Sequence, residues 1–317
     1  MDHACLTEAP AHPTGAAARL TEVPAGPAEA ADPAAAPDAI LDRLARAAER
    51  TATACGAGQM VWHAWGSSDR GAAPPLVLLH GGSGSWRHWV RNIEAFARDR
   101  QVIAPDLPGL GDSDLPPYPD DPRAMAQILA HGLAGLTGSA ERYDLAGFSF
   151  GGVMAGCLAA LEGARVRSLT IVGSGGLGLP RGVTDLVKVR HLAGAERSAA
   201  HRANLASLMI ADPAKIDALA LAIQDWNTRH SRMKSPAISR GRWLAEALAA
   251  VRCPVAGIWG ARDAPSLPDI GARESALRAL RPELRFRVID GAGHWVAYEA
   301  AAAFNATLAA LLEETAS

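Results

Sequence analysis

The sequence predicts an α/β fold in which a mostly parallel, twisted sheet carries helices on both faces. Short apolar runs alternate with helical periodicity along most of the 317 residues, and Leu76–Leu79 is the clearest such run. A strand without polar alternation is covered on both faces, as in parallel sheets. Residues 177–248, here called the helical insertion, show helical periodicity and no strand pattern. We therefore expect a core of residues 38–176 and 249–317, with the helical insertion as its lid.

The N-terminal segment differs from the rest of the chain. Alanine and proline dominate residues 1–37, with almost no large apolar side chains. Such a segment buries too little surface to offset its ordering entropy, so we expect a disordered extension. Asp38 is predicted to be the N-cap of a first helix, in which Leu41 and Leu44 have helical spacing and which ends at Gly56.

The core elements follow from the same apolar pattern. The predicted strands are Gln59–Trp65, Leu76–Leu79, Gln101–Ala104, a short strand through Tyr143 and Ala146, Ser168–Val172, Val255–Trp259 and Arg285–Ile289. The predicted helices include Met125–Leu136, Val153–Ala160, Ile270–Leu280 and a final helix marked by Phe304 and Leu312.

Composition narrows the class of function. Lys plus Arg number 31 and Asp plus Glu 33, so neither nucleic acid nor an anionic membrane is an expected partner. The four cysteines lack metal-ligand spacing, and no basic leader or apolar span is present in the sequence. We expect a cytoplasmic protein that acts on a small-molecule substrate without metal or cofactor. A homodimer is left open.

A glycine-flanked serine follows the strand that begins at Tyr143. Gly147, Ser149 and Gly151 form the pattern G-x-S-x-G, and an apolar helix begins just after it. The chain must reverse within a few residues, which forces Ser149 into a strained conformation and leaves no room for a Cβ at either glycine. The serine hydroxyl is thereby lifted to a helix N-terminus, where developing negative charge is favoured.

A serine hydroxyl needs a base to take its proton and an acid to orient that base. Asp263 follows one predicted strand and His294 follows the next, and parallel sheets place such positions at one edge. The order Ser149, Asp263, His294 is that of the α/β-hydrolases. Asp269 is the alternative acid. The predicted oxyanion donors are the N–H of Phe150 and one from Gly82 or Ser83.

Several motifs together resemble the α/β-hydrolase superfamily over roughly residues 59 to 312. They are His80-Gly81-Gly82, Asp106 to Ser113, Gly147 to Gly151, Gly260 to Asp263 and Gly293-His294-Trp295. The resemblance implies that Ser149 is the nucleophile, His294 the base and Asp263 the acid. A serine nucleophile differs from the carboxylate of haloalkane dehalogenases and epoxide hydrolases. The chain is most similar to meta-cleavage-product (carbon–carbon bond) hydrolases and carboxylesterases.

The resemblance also bears on substrate contacts. Meta-cleavage-product hydrolases carry a lid arginine that faces the substrate, whereas this chain has Gln224 at the corresponding place. We expect Gln224, Trp295 and Phe148 to contact the substrate. The function predicted is a serine hydrolase that cleaves a small-molecule ester or C–C bond. The alternatives are a non-catalytic ligand receptor and a cofactorless lyase or perhydrolase on the same fold.

The remaining polar residues near these motifs are expected to be structural. His80 is predicted to orient its own loop, and Asp106 and Ser113 to form a turn. The helical insertion carries eleven basic against six acidic side chains. From this excess we expect a preference for anionic substrates, with Arg229 and Arg232 contributing to it.

Overall fold

A computed structural model describes residues 18–19, 36–66, 73–137 and 141–315 of the chain. The described strands are β1 (Ala18–Arg19), β2 (Glu49–Cys55), β3 (Gly58–Trp65), β4 (Leu76–Leu79), β5 (Val102–Pro105), β6 (Tyr143–Phe148), β7 (Val166–Val172), β8 (Val255–Gly260) and β9 (Arg285–Ile289). Apart from residues 18–19 and 36–37, the predicted N-terminal disorder lies outside the described residues.

The described strands form one sheet in the order β1-β2-β3-β5-β4-β6-β7-β8-β9. From β5 to β9 in this order all neighbours are parallel, whereas β1, β2 and β3 pair antiparallel at one edge. Every residue of β4, β5, β6 and β8 is buried. The mostly parallel α/β sheet predicted from the continuous apolar runs is thus confirmed.

Helices cover both faces of this sheet. They are α1 (Pro37–Ala47), α2 (Ile93–Phe96), α3 (Pro122–Thr137), α4 (Phe150–Glu162), α5 (Gly194–Asn204), α6 (Ala218–Arg229), α7 (Pro236–Arg240), α8 (Trp243–Leu248), α9 (Gly271–Leu280), α10 (Val296–Glu299) and α11 (Ala301–Glu313). On one face Leu79 packs in a cluster with Leu129 and Met154, and on the other Leu78 packs in a cluster with Phe304. No helix in the described ranges has the length and hydropathy of a membrane span.

The prediction for the first helix was wrong in two respects. α1 begins with Pro37 at its first position, after Ala36 at the N-cap, so Asp38 lies inside the first turn. Proline suits that position because its fixed φ matches a helix and its missing N–H would be unpaired there. The helix also ends at Ala47, because the following residues form β2 and pair with β3 around a two-residue turn at Gly56, whose φ is +62°.

The helical insertion lies between β7 and β8, and residues 177–248, all of which are described, contain no strand. Several hydrogen bonds fix it to the core. Asn227 Oδ1 accepts a bond from the Ser85 hydroxyl at 2.7 Å. The Arg232 amide donates to the Gly109 carbonyl at 2.9 Å. These bonds hold the end of α6 against the loops that follow β4 and β5. The role of the insertion as a lid stays a prediction.

A buried carboxylate stabilises the start of β6, the strand that leads to Ser149. Asp144 is fully buried and accepts hydrogen bonds from Arg100 at 2.8 Å and from Arg167 Nε at 2.8 Å, as well as from the Ser168 hydroxyl. Both arginine side chains are themselves largely buried. Removal of one partner from such a group leaves uncompensated charge in the interior, which is costly.

We therefore expect Asp144→Ala to lower the free energy of unfolding by about 3–5 kcal/mol. Urea unfolding of the two proteins measures the change. The matched control is Glu246→Ala, which breaks the exposed pair with Arg123 and should cost at most about 1 kcal/mol. Equal losses for the two variants would contradict a stabilising role of the buried cluster.

Candidate active site

Ser149 lies at the sharp turn between β6 and α4. Its φ is +52°, a left-handed conformation that a residue with a side chain rarely adopts. A Cβ on Gly147 would lie 2.2 Å from the Gly151 carbonyl oxygen, and one on Gly151 would lie 2.3 Å from the Leu79 carbonyl oxygen. The Ser149 amide donates to the Val172 carbonyl of β7 at 2.8 Å, which holds the turn against the sheet. The strained serine and its two obligatory glycines, predicted from the sequence, are confirmed.

A continuous hydrogen-bonded chain joins Ser149, His294 and Asp263. His294 Nε2 lies 3.0 Å from Ser149 Oγ, and His294 Nδ1 lies 2.8 Å from Asp263 Oδ2. The carboxylate can only accept, so Nδ1 carries the proton and Nε2 is free to accept from the serine hydroxyl. Asp263 is fully buried and His294 is 3% exposed. This arrangement can deprotonate the serine and hold the resulting cation.

Only one of the two candidate aspartates makes this contact. Asp269 is exposed and accepts a bond from the Ala272 amide at 2.9 Å, which caps α9. The contact of Asp263 with His294 also depends on Gly173, whose φ is +50°. A Cβ there would lie 2.9 Å from Asp263 Oδ2, so a larger residue would displace the carboxylate.

The loop after β4 lies directly beside Ser149. A Cβ on Gly81 would be 3.4 Å from that of Ser149, and one on Gly82 would be 3.7 Å from that of Phe150. Within the described part of the chain, the amides of Gly82, Ser83 and Phe150 donate to no other group. They are therefore available to an anion. Their assignment as oxyanion donors stays a prediction.

Two buried histidines fix this loop through the peptide groups of Gly81. His80 Nδ1 donates to the Gly81 carbonyl at 2.8 Å, and its Nε2 accepts from the Leu107 amide at 2.8 Å. His88 Nδ1 accepts from the Gly81 amide at 3.2 Å. Burial lowers the pKa of His80 to about 4, so the ring is neutral, as both hydrogen bonds require. The predicted role of His80 in orienting its own loop is confirmed, whereas His88 was not predicted.

Asp106 and Ser113 have the structural role that the sequence predicted. The Asp106 carboxylate accepts from the amides of Trp86 and Asp112, each at 2.9 Å. The Ser113 hydroxyl donates to the Asp106 carbonyl and accepts from the Val61 amide at 2.8 Å. Burial raises the pKa of Asp106 to about 6. Both residues tie the loop after β5 to the sheet rather than to Ser149.

The three predicted substrate-contacting residues differ in their surroundings. Trp295 is fully buried, stacks on Tyr298 with ring centres 4.2 Å apart, and donates its indole N–H to the His88 carbonyl at 2.8 Å. Phe148 is buried with its ring centre 4.9 Å from that of His294, and Gln224 is half-buried on α6. Trp295 thus packs the core beneath His294. Substrate contact by any of the three stays a prediction.

A cavity beside His294 was not foreseen from the sequence. The centre of a water-sized sphere can occupy only about 20 Å³ of it, and it is partly open to solvent. One wall is the glycine-rich loop after β7 (residues 173–178). The other walls contain polar residues of distant segments, among them Arg181, Ser239, Ser266, Arg273 and His294. Arg181 and Arg273 are far apart in the chain, and no spacing pattern connects them. The glycine-rich loop was the one sequence signal for open space here.

The buried His80 predicts a pH dependence of stability. Its folded pKa of about 4 lies below the ordinary histidine value of about 6.5. Between these values the unfolded chain binds a proton that the folded chain excludes, so stability is lost as the pH falls from 6.5 towards 4. The expected contribution is up to about 1.4 kcal/mol per pH unit. Urea unfolding at several pH values should give a shallower dependence for His80→Gln, and an unchanged slope would contradict this assignment.

The chain is similar to several known proteins. The chain is 32% identical over 251 residues to the dihydrolipoyllysine-residue acetyltransferase component of an acetoin cleaving system from Pseudomonas putida, across 76% of this chain and 64% of that protein. It is 36% identical over 117 residues to a 2-hydroxymuconate semialdehyde hydrolase from Pseudomonas sp. (strain CF600), across 35% of this chain and 40% of that protein. The chain thus spans less than two thirds of the length of these two curated relatives.

A solved structure and a family profile extend the similarity to most of the fold. The crystal structure of the esterase RhEst1 from Rhodococcus sp. ECU1013 matches with a TM-score of 0.69 and 24% identity, over 84% of this chain and 98% of that one. At that identity the likeness is one of fold. The profile of the alpha/beta hydrolase family matches residues 76–307, well over half of the sequence. The chain therefore belongs to the alpha/beta hydrolase family, as its motifs predicted.

Proposed function

We propose that this protein is a serine hydrolase that cleaves an ester bond of a small molecule through an acyl-enzyme. The observation that supports this most is the hydrogen-bonded chain from Ser149 Oγ through His294 to Asp263, with contacts of 3.0 and 2.8 Å. The serine lies on a strained turn beside unpaired backbone amides. A nucleophile, a base, an acid and anion-stabilising donors are the groups that acyl transfer requires.

In the first half-reaction Ser149 Oγ attacks the acyl carbon as its proton passes to His294 Nε2. The carboxylate of Asp263 stabilises the imidazolium that forms. The carbonyl oxygen becomes an oxyanion, which the amides of Phe150 and of Gly82 or Ser83 bind. When the tetrahedral intermediate collapses, His294 returns the proton to the leaving alcohol, and the acyl group stays on Ser149.

In the second half-reaction water replaces the alcohol. His294 takes a proton from the water as its oxygen attacks the acyl carbon of the ester on Ser149. The second intermediate collapses with return of the proton to Ser149 Oγ, and the carboxylic acid is released. The helical insertion serves as the lid that shields this reaction from bulk water, with its α6 end fixed to the loop of Ser85.

The second candidate is hydrolysis of a C–C bond by the same residues. It is favoured by the identity of 36% over 117 residues to a protein named as a 2-hydroxymuconate semialdehyde hydrolase. A cofactorless lyase or perhydrolase would use the same residues with other products, and a receptor would bind ligand without turnover. Product analysis on ester and vinylogous diketone substrates separates these activities, and release of stoichiometric rather than catalytic product would indicate a receptor.

Replacement of the nucleophile is the first test. Ser149→Ala should lower the kcat for ester hydrolysis by about ten-thousand-fold or more, because no other group can form the acyl-enzyme. The melting temperature should not fall, because the hydroxyl donates to no structural partner in the described chain other than His294. Ester hydrolysis at the wild-type rate by the purified variant would overturn the proposal.

The acid is tested by a matched pair of variants. Asp263→Asn should lower kcat by about four orders of magnitude near neutral pH, because the amide can donate to Nδ1 and so favours the wrong imidazole tautomer. Asp269→Asn is the control and should leave kcat within about twofold, since that residue caps α9 away from His294. Steady-state kinetics of both variants decide the assignment, and a larger loss in Asp269→Asn would reverse it.

A further inference from the structure

Two arginines line the cavity that has His294 in its wall. Arg181 follows the glycine-rich loop after β7, and Arg273 lies on α9. Arg273 is 5% exposed and donates from one guanidinium nitrogen to the carbonyls of Pro180 and Pro265, the latter at 3.2 Å. Among the described residues, neither arginine has a carboxylate within ion-pair distance. The cavity therefore holds positive charge next to the proposed base.

Three other arginines of the helical insertion, Arg197, Arg229 and Arg232, have hydrogen-bond partners. Arg197 and Arg229 share the carboxylate of Asp225, and Arg229 points into solvent with a side chain that is 58% exposed. The Arg232 guanidinium donates to the backbone carbonyls of Gly111 and Ser113. The expectation that Arg229 and Arg232 attract an anionic substrate stays a prediction, although Arg229 is paired at the surface and Arg232 supports a loop.

The charges of Asp263 and Asp269 offset part of the positive charge of the two arginines without forming an ion pair with either. Arg181 lies within electrostatic range of Asp263, Arg240 and Arg273. Asp263 already accepts a hydrogen bond from His294 at 2.8 Å. Burial is the main cause that lowers the pKa of Arg273, which marks a guanidinium that has lost water without gaining an ion pair. An anion bound in the cavity would offset that loss.

We propose that Arg181 and Arg273 form a binding site for a carboxylate group of the substrate. This inference rests on the proposed hydrolase function, because His294, the proposed base, lies in the wall of the same cavity. A guanidinium binds a carboxylate through parallel N–H donors. The cavity is partly open to solvent, so a carboxylate can reach Arg181, an exposed residue of its wall.

Matched ester pairs test the charge preference. In the first pair, monoethyl succinate carries a carboxylate on the acyl side and ethyl butyrate does not. In the second pair, 4-acetoxybutyrate carries a carboxylate on the alcohol side and butyl acetate does not. For each protein, the kcat/KM of the charged ester is divided by the kcat/KM of the neutral ester. Because this ratio is compared between the wild type and the variants, the intrinsic reactivity of the two esters cancels. One of the two pairs should favour the charged ester, and the preference should shrink as salt screens charges beyond about 8–10 Å.

Arg181→Gln should lower that ratio by about tenfold or more, since it removes a charged donor. The control is Arg229→Gln, which should leave the ratio unchanged, because Arg229 is exposed like Arg181 but does not line the cavity. Because Arg273 also supports the carbonyl of Pro180, it is tested as Arg273→Lys, which keeps the charge while losing the planar donor. That variant should show a smaller loss than Arg181→Gln.

A binding measurement makes the test independent of turnover. Calorimetric titration of Ser149→Ala with monoethyl succinate and 4-acetoxybutyrate should show binding that the added Arg181→Gln change weakens by about tenfold or more. Binding that does not depend on Arg181, or the absence of a preference for the charged ester in either pair, would overturn the carboxylate site. If Ser149-dependent hydrolysis of neutral esters were still observed, the proposed function would stand. Absence of any Ser149-dependent hydrolysis alongside Arg181-dependent binding would instead overturn the function and leave the site.

Discussion

The close approach of three backbone segments around Ser149 is the constraint on which the rest of the site depends. The carbonyls of Gly151 and Leu79 approach so closely that no Cβ fits at Gly147 or Gly151. Ser149 accordingly takes a φ of +52°, and the bond from its amide to Val172 helps to hold that strain. A serine on a relaxed turn would not bring its hydroxyl to within 3.0 Å of His294. The sheet thus stabilises a conformation that the turn alone would not adopt.

Buried polar groups with fixed partners hold the neighbouring loops and the start of β6 in place. His80 and His88 bind both sides of the Gly81 peptide, and Asp106 binds two amides of the neighbouring loops. Asp144 ties the start of β6 to two arginines. Each buried group would be costly if unpaired, so the network specifies one arrangement of the loops around the serine. The site is therefore supported by hydrogen bonds that never touch a reacting atom.

The helical insertion contributes differently to the two sides of the site. Its α6 end is held to the loop after β4 through Asn227 and Ser85, beside the unpaired amides. Its beginning and its α7 segment instead border the cavity, whose wall includes Arg181, Ser239 and His294. Backbone hydrogen bonds fix this side as well, for example from the Gly182 amide to the Pro265 carbonyl at 3.1 Å.

The sequence alone determined the strand and helix alternation, the strained serine, and the order in which Asp263 and His294 follow their strands. These features are local: apolar runs, glycines and turn residues determine them within a few positions. It misread the segment after Ala47, because pairing with β3 overrode weak helical spacing. It did not connect Arg181 with Arg273, since the separate segments that line the cavity meet only in the folded chain. Whether a charged side chain is paired, exposed or facing a cavity depends on long-range packing, and only the tertiary structure decided it.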